Sequence, residues 1–381
     1  MKVFFKGSFY FSDNEFCLIK ALQDKNIDVK YYIPIEYGRL KGALLDIKTQ
    51  YPKTGIFPAS IYKEIDAYKD YFDISKVFVI NSIHKSNYHP ANLLLKLKLI
   101  LEYVRFNPDI FHFSAPLTRP WMFLYWLYGK KVLTLHDPFP HSGQYNDKME
   151  RSRIIAFKHS DNIIMLDKEN VDKFSDYYNY PKENIYVSKL GYFDYLKNFP
   201  YEDPIIEGKY ILFFGQIFQY KGIEYLLEAM IKVHKVHPDI KLVVAGGGKY
   251  YFDIEPYIKL DYIIIKNEYI KMKRLVGLLR NCMFSVAPYT DATQSGLLLN
   301  SFSLSIPMVA SSVGHFPKMI KEGEFGLLVK PRNVDDLANA IIKLIESPIL
   351  LEKMRDNISN EWIPSMQWAS IADDFIKCYN S

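Results

Sequence analysis

Little in this sequence invites cross-linking. Its 381 residues include three cysteines, Cys17, Cys282 and Cys378, an odd number set far apart. That spacing argues against both a disulfide framework and a zinc site and fits a reducing cytoplasm. No run of 18 apolar residues occurs, so no transmembrane helix is expected. The opening MKVFFKGSFYFSDNEF reads as a strand and soon carries Asp13 and Glu15, which a signal peptide would not. A Walker A loop is missing, because Gly246 to Lys249 is followed by Tyr250 with no glycine at the earlier position the loop requires. No G-x-G-x-x-G follows the first strand, which disfavours a dinucleotide oxidoreductase, and no G-x-S-x-G elbow suggests a hydrolase. There is no arginine-rich stripe, so nucleic acid is not an expected partner.

What is present describes a globular α/β chain. Half of the residues are apolar and 24% are charged, and the length suits two domains. The net charge of +5 lies wholly in the first half: residues 1–195 hold 27 Lys and Arg against 22 Asp and Glu, and the remainder is balanced at 21 each. An excess of that size fits an anionic membrane surface or a phosphorylated acceptor, and equally an ordinary solvated surface.

In chain order, an apolar strand at 2–6 leads into Gly7 and Ser8 and then a helix near 14–25. A strand at 28–33 follows, then a lysine- and tyrosine-rich region to about 75 with no clear assignment, and a strand at 77–81. The segment NLLLKLKLILEYVRF, 92–106, forms a helix apolar on nearly every side, as expected of a buried helix; the alternative is a basic amphipathic helix on a membrane. DIFHFS and KVLTLH, 109–114 and 131–136, read as strands that end at His112 and His136. The second continues into Asp137 and two prolines that fix the loop, so His136 is positioned rather than floppy. For His112 and His141 structural and functional roles remain equally open.

Residues 195–209, with Pro200 and Pro204, break the pattern as a linker. Then YILFF, 210–214, ends in Gly215; a loop brings Lys221 and Gly222; an amphipathic helix follows; and KLVVA ends in Gly246-Gly247-Gly248. Two buried parallel strands ending in glycine describe a βαβ unit whose strand ends face a ligand crevice. Lys221 either caps a turn in solvent or meets an anion there. A third strand, 283–288, passes through Asp291, Ser295 and Gly296 into an apolar helix stopped by Pro307. A helix start with free N–H groups suits a phosphate or a polyhydroxylated ligand.

The spacing G-x5-K-G at 215–222, the AGGG strand end and G-x3-N-x6-PMVASSVG from 296 resemble the nucleotide-binding half of a family 4 glycosyltransferase of the GT-B fold. The likeness extends to EGEFGLLVKPRNVDDLANAI, 322–341, and covers most of 205–355. It implies two Rossmann-like domains facing a crevice: residues 1–195 for the acceptor, a linker at 196–209, residues 210–360 for the nucleotide sugar, and a helix at 361–381 returning to the first domain. It also implies a retaining hexosyltransferase that uses UDP- or GDP-hexose as co-substrate, with no further cofactor and no metal. Asp-x-Asp, the metal motif of the other glycosyltransferase fold, is missing.

The implied acceptor is a glycan, lipid-linked, in surface polysaccharide synthesis, handled at the inner face of the plasma membrane. By resemblance, His136, Asp137 and Lys221 serve the chemistry. Gly7, Ser8, Gly215, Gln216, Gly246, Asp291, Thr293, Gln294, Ser295, Gly296, Leu297 and Asn300 join Lys221 around the donor. Two departures stand out. Gln216 takes the place of the arginine that helps hold the donor diphosphate, and the two glutamates of the acidic motif fall on Ala292 and Asn300, with Asp291 one place away. These departures keep a non-catalytic sugar-nucleotide binder in view beside the enzyme, and a nucleotide-sugar epimerase as a third reading.

Overall fold

Fourteen strands sort into two sheets in the computed structural model, which describes residues 1–42, 44–139, 146–166, 168–291 and 295–381. The first sheet is built from β1 (Lys2–Lys6), β2 (Asp28–Ile35), β3 (Gly55–Pro58), β4 (Val77–Asn81), β5 (Ile110–Phe113), β6 (Lys130–Leu135), β7 (Asn162–Met165) and β8 (Ile185–Val187), in the order β3-β4-β2-β1-β5-β6-β7-β8. All pairings are parallel except β3 with β4. The second holds β9 (Lys209–Phe214), β10 (Ile240–Ala245), β11 (Ile263–Lys266), β12 (Ser285–Ala287), β13 (Met308–Ser311) and β14 (Gly326–Val329), all parallel, in the order β11-β10-β9-β12-β13-β14. Their near-continuous apolar runs are what strands covered on both faces require; β9, for example, is buried from Tyr210 to Phe214.

The chain divides into one unit of Met1–Gly191 with Trp368–Ser381 and a second of Tyr192–Gln367. The stretch read as a linker folds within the second unit. The Glu202 N–H donates to Lys273 O, and Gly277 lies so close to Glu202 O that a Cβ there would meet it at 1.9 Å. The last helix, Trp368–Asn380, belongs to the first unit, where Lys25 pairs with Asp373 at 2.7 Å and the Tyr379 hydroxyl meets His112 Nδ1 at 2.6 Å. Each unit, taken by itself, is the Rossmann-like α/β layer structure that the sequence implied.

Two sequence expectations are corrected. His112 does not end its strand: it lies inside β5, fully buried, its other ring nitrogen 2.8 Å from Thr134 Oγ1 and its ring stacked on Phe5 at 4.3 Å. Burial lowers its pKa to about 3, so it is a neutral pin tying the sheet to the last helix. The helix Pro90–Phe106 is not buried all round. Leu95, Leu99, Tyr103 and Phe106 pack into the core, and the opposite side faces out.

Candidate functional site

In open α/β sheets, ligands gather where neighbouring strands send their connections to opposite sides, because the loops part there. In the second unit that place lies between β9 and β12: β9 continues toward β10 on one side, and β12 toward β13 on the other. The loops leaving these two strands are the ones singled out in the sequence.

Gly215 ends β9 and Lys221 lies in the short turn Gln219–Lys221. The Lys221 ammonium is poised over Gly215, since a Cβ at that glycine would sit 2.7 Å from Nζ. It also lies 5.6 Å from the centroid of Tyr289, just past β12. Only 9% of Lys221 is exposed, and burial lowers its pKa from the ordinary range. Among the described residues no carboxylate pairs with it and no acceptor takes a hydrogen bond from Nζ. A buried ammonium without a counter-charge is costly, which makes this position receptive to an anion.

The two loops are fastened to each other. The Thr290 N–H and hydroxyl both donate to Tyr220 O, at 2.7 and 3.2 Å. Gly222 has φ +61°, and a Cβ on it would come within 2.2 Å of Pro288 O; both facts call for glycine. Gly246, at the end of β10, packs against Gly215, whose N–H donates to Ala245 O. Gln216 is exposed on this edge, as is Asp291. Ser295 caps the helix Gly296–Ser303, its Oγ accepting from Leu298 N. The N–H groups of Gly296 and Leu297 thus head a helix, where they precede the first internal bond.

Asn300 is buried one turn into that helix. Its amide donates to Gly296 O at 2.7 Å, and its Oδ1 has no partner among the described residues. Thr293 and Gln294 lie outside the described residues, as does His141.

The first unit has its own switch point, between β1 and β5. Gly7 and Ser8 leave β1 there, and Ser114 leaves β5. Bridging them is a residue that sequence reasoning missed, Glu15, on the helix Ser12–Asp24. The Ser8 N–H donates to both carboxylate oxygens, at 2.8 and 3.1 Å, the Tyr31 hydroxyl donates at 2.6 Å, and the Ser114 hydroxyl also donates. Gly7 is glycine because a Cβ would lie 2.1 Å from Glu15 Oε2. Glu15 is 3% exposed, and despite its donors burial pushes its pKa up to about 7. Its neighbour Asp13 is pushed to about 6 by burial. The only hint in the sequence was an acid in the first turn of a helix, where acids are common for dipole reasons.

His136, one residue past β6, lines the same pocket as Glu15, Ser114 and Thr134. It stacks on Phe11 at 3.8 Å, and burial draws its pKa below the ordinary range while Asp137 pulls it up. Arg153 fixes the loop by donating to Asp137 O and Pro138 O, and pairs with Glu150 at 3.3 Å. Unit 1 thus gathers a carboxyl that titrates near neutrality, a serine and a neutral imidazole. Unit 2 gathers a buried cation and a helix start. Among the described residues no three His, Cys, Asp or Glu side chains meet as a metal site.

Comparison with known proteins agrees with this geometry. Residues 202–361 match the family described as glycosyl transferases group 1. An uncharacterised glycosyltransferase of Methanocaldococcus jannaschii is 25% identical over 231 residues, 57% of this chain and 59% of that protein, so the match spans less than two thirds of the relative's length. Among solved structures, sucrose-phosphate synthase of Thermosynechococcus elongatus superposes with a TM-score of 0.70 at 14% identity, covering 100% of this chain and 98% of that one. Anabaena HepE, solved with UDP-glucose, gives 0.67 at 14% identity, covering 100% and 99%. Residues 202–361 thus resemble glycosyl transferases group 1, and the chain has the GT-B fold of the solved glycosyltransferases it superposes on.

Proposed function

We propose that this chain is a retaining glycosyltransferase that moves a hexose from UDP- or GDP-hexose to a glycan acceptor carried on a lipid. The observation that carries the reading is Lys221: a buried ammonium, without a counter-charge among the described residues, at the switch point of the second unit. As the sugar C1–O bond breaks, negative charge builds on the departing nucleoside diphosphate. A buried cation, helix-start N–H groups at Gly296 and Leu297, and the Gln216 amide are the donors suited to meet it. Gln216 in place of arginine leaves that clamp weaker by about 1 to 3 kcal/mol, the scale of a charge-assisted hydrogen bond. The acceptor hydroxyl bonds to C1 on the face the diphosphate leaves, and its proton passes to a phosphate oxygen. Asn300 Oδ1, without a partner among the described residues, is an acceptor suited to a ribose hydroxyl.

His136 and Glu15 belong to the acceptor side of this reading, where a neutral imidazole and a carboxyl near its pKa can orient hydroxyl groups. The excess positive charge of the first half and the exposed helix Pro90–Phe106 support an acceptor held on lipid. Asn300, uncharged where the family carries an acid, favours a second reading: a binder of nucleotide sugars without turnover. The two separate on incubation with UDP-glucose, UDP-N-acetylglucosamine and GDP-mannose. The enzyme releases nucleoside diphosphate slowly to water from one of them, and Lys221→Met abolishes that release. Binding without release in the wild type, even with lipid-linked glycan added, leaves only the binder.

A further inference from the structure

The helix Pro90–Phe106 carries two apolar stripes where packing on a sheet needs one. The first, Leu95, Leu99, Tyr103 and Phe106, is buried, with Tyr103 against Phe4 and Phe111 at 4.9 and 5.9 Å. The second, Leu93, Leu94, Leu97, Leu101 and Val104, keeps the same spacing of three and four on the opposite side, and each of its members is 45–58% exposed. At about 100° per residue this crest runs straight along the outer face for about 17 Å.

Its borders are basic. Lys96 falls on one flank, and Lys98 and Arg105 on the other; Glu102 is the helix's sole acid and lies within 3.8 Å of Arg105. On the packed side, Lys2 and Lys30 lie over the ring of Phe106, at 5.6 and 4.9 Å, and so are not part of the crest's border. An exposed tyrosine marks each end of the crest: Tyr88 just before the helix, and Tyr128, whose hydroxyl reaches Val104 O at 3.5 Å. A narrow apolar ridge between lysines and arginine, with aromatic hydroxyls at its ends, has the chemistry of a bilayer boundary: acyl chains at the centre, phosphates at the sides. A second copy of the chain suits it less, because facing crests would bring Lys98 and Arg105 against like charges.

We propose that this face docks on an anionic lipid bilayer, the crest entering the acyl boundary and the flanking cations meeting headgroup phosphates. The inference rests on no step of sugar transfer, so its failure and that of the donor reading are separable. The full chain is sedimented with phosphatidylcholine vesicles and with vesicles of phosphatidylcholine and phosphatidylglycerol in equal parts. Two double variants at exposed positions are compared after confirming an unchanged melting temperature: Leu97→Glu with Leu101→Glu, and Lys98→Gln with Arg105→Gln. The wild type should sediment with the anionic vesicles and little with the neutral ones. The crest variant should stay in solution, and the charge variant should bind weaker by about fivefold for each cation lost. The proposal is overturned if the wild type ignores anionic vesicles at low salt, or if the crest variant binds like the wild type. It is overturned too if the wild type, without vesicle binding, is a dimer that the crest variant turns into a monomer.

Discussion

Replacing Glu15 by Gln should change how stability depends on pH, with a sign fixed by burial. The carboxyl titrates near 4.5 when solvated and about 7 in the fold. Between those values the folded chain keeps a proton that the unfolded chain gives up, so folding is favoured at low pH. This contribution is complete below pH 4.5 and is lost as pH rises through about 7. At about 1.4 kcal/mol per pH unit it amounts to about 3 kcal/mol. Asp13, raised to about 6, acts in the same direction. His112, lowered to about 3, and His136, also lowered, oppose it, because the unfolded chain binds their protons first and stability then rises with pH up to the ordinary imidazole range. The wild type should therefore be nearly level between about pH 4.5 and 6.5, whereas the Gln variant, having lost one falling contribution, should climb. Urea unfolding of both proteins at pH 4.5 and pH 8 isolates Glu15, since the other groups cancel in the difference. Wild type minus variant should fall by about 3 kcal/mol from the lower pH to the higher. A constant difference, or one that grows with pH, would mean Glu15 is ionised throughout and would refute the reasoning.

Two further substitutions probe how the sites are held. Tyr379→Phe removes the partner of His112 Nδ1. Stability should drop by about 1–2 kcal/mol, read as a lower melting temperature, with nucleotide affinity unchanged because both residues belong to the first unit. Gly222→Ala forces a side chain into a left-handed backbone and against Pro288 O. The strain is about 1–2 kcal/mol, and displacement of the Lys221 turn should weaken nucleoside diphosphate binding several-fold in calorimetry.

Most strands were legible because parallel strands covered on both faces read as unbroken apolar runs, with β1, β9 and β10 closing on glycine; β3, an antiparallel edge strand, fell in the region to about 75 that had no clear assignment. Lys221, Gly222 and Ser295 could be found from those strand ends alone. Other features were hidden by long-range packing. Glu15 looks like an ordinary first-turn acid until the fold brings Ser8, Tyr31 and Ser114 around it. His112 seemed to end a strand because the apolar run is short on both sides of it; its partners Thr134 and Tyr379 are 22 and 267 residues away. In the helix Pro90–Phe106, apolar residues on two faces read as full burial, and only the sheet's position separates the packed stripe from the exposed one. Residues 195–209 carry two prolines and several charges, which look like a linker but fold against the helix Met272–Asn281.

The central claim, that Lys221 and the helix start at Ser295 form an anion site for a nucleoside diphosphate, is tested most directly by calorimetric titration of UDP and GDP into the wild type and Lys221→Met. Methionine fills the same space without burying a charge, so the variant should be at least as stable as the wild type. The wild type should bind one of the two nucleotides, and the variant should bind it weaker by about 5- to 150-fold, the equivalent of 1 to 3 kcal/mol. Equal affinity in the two proteins, or no binding of either nucleotide by the wild type, would contradict the assignment.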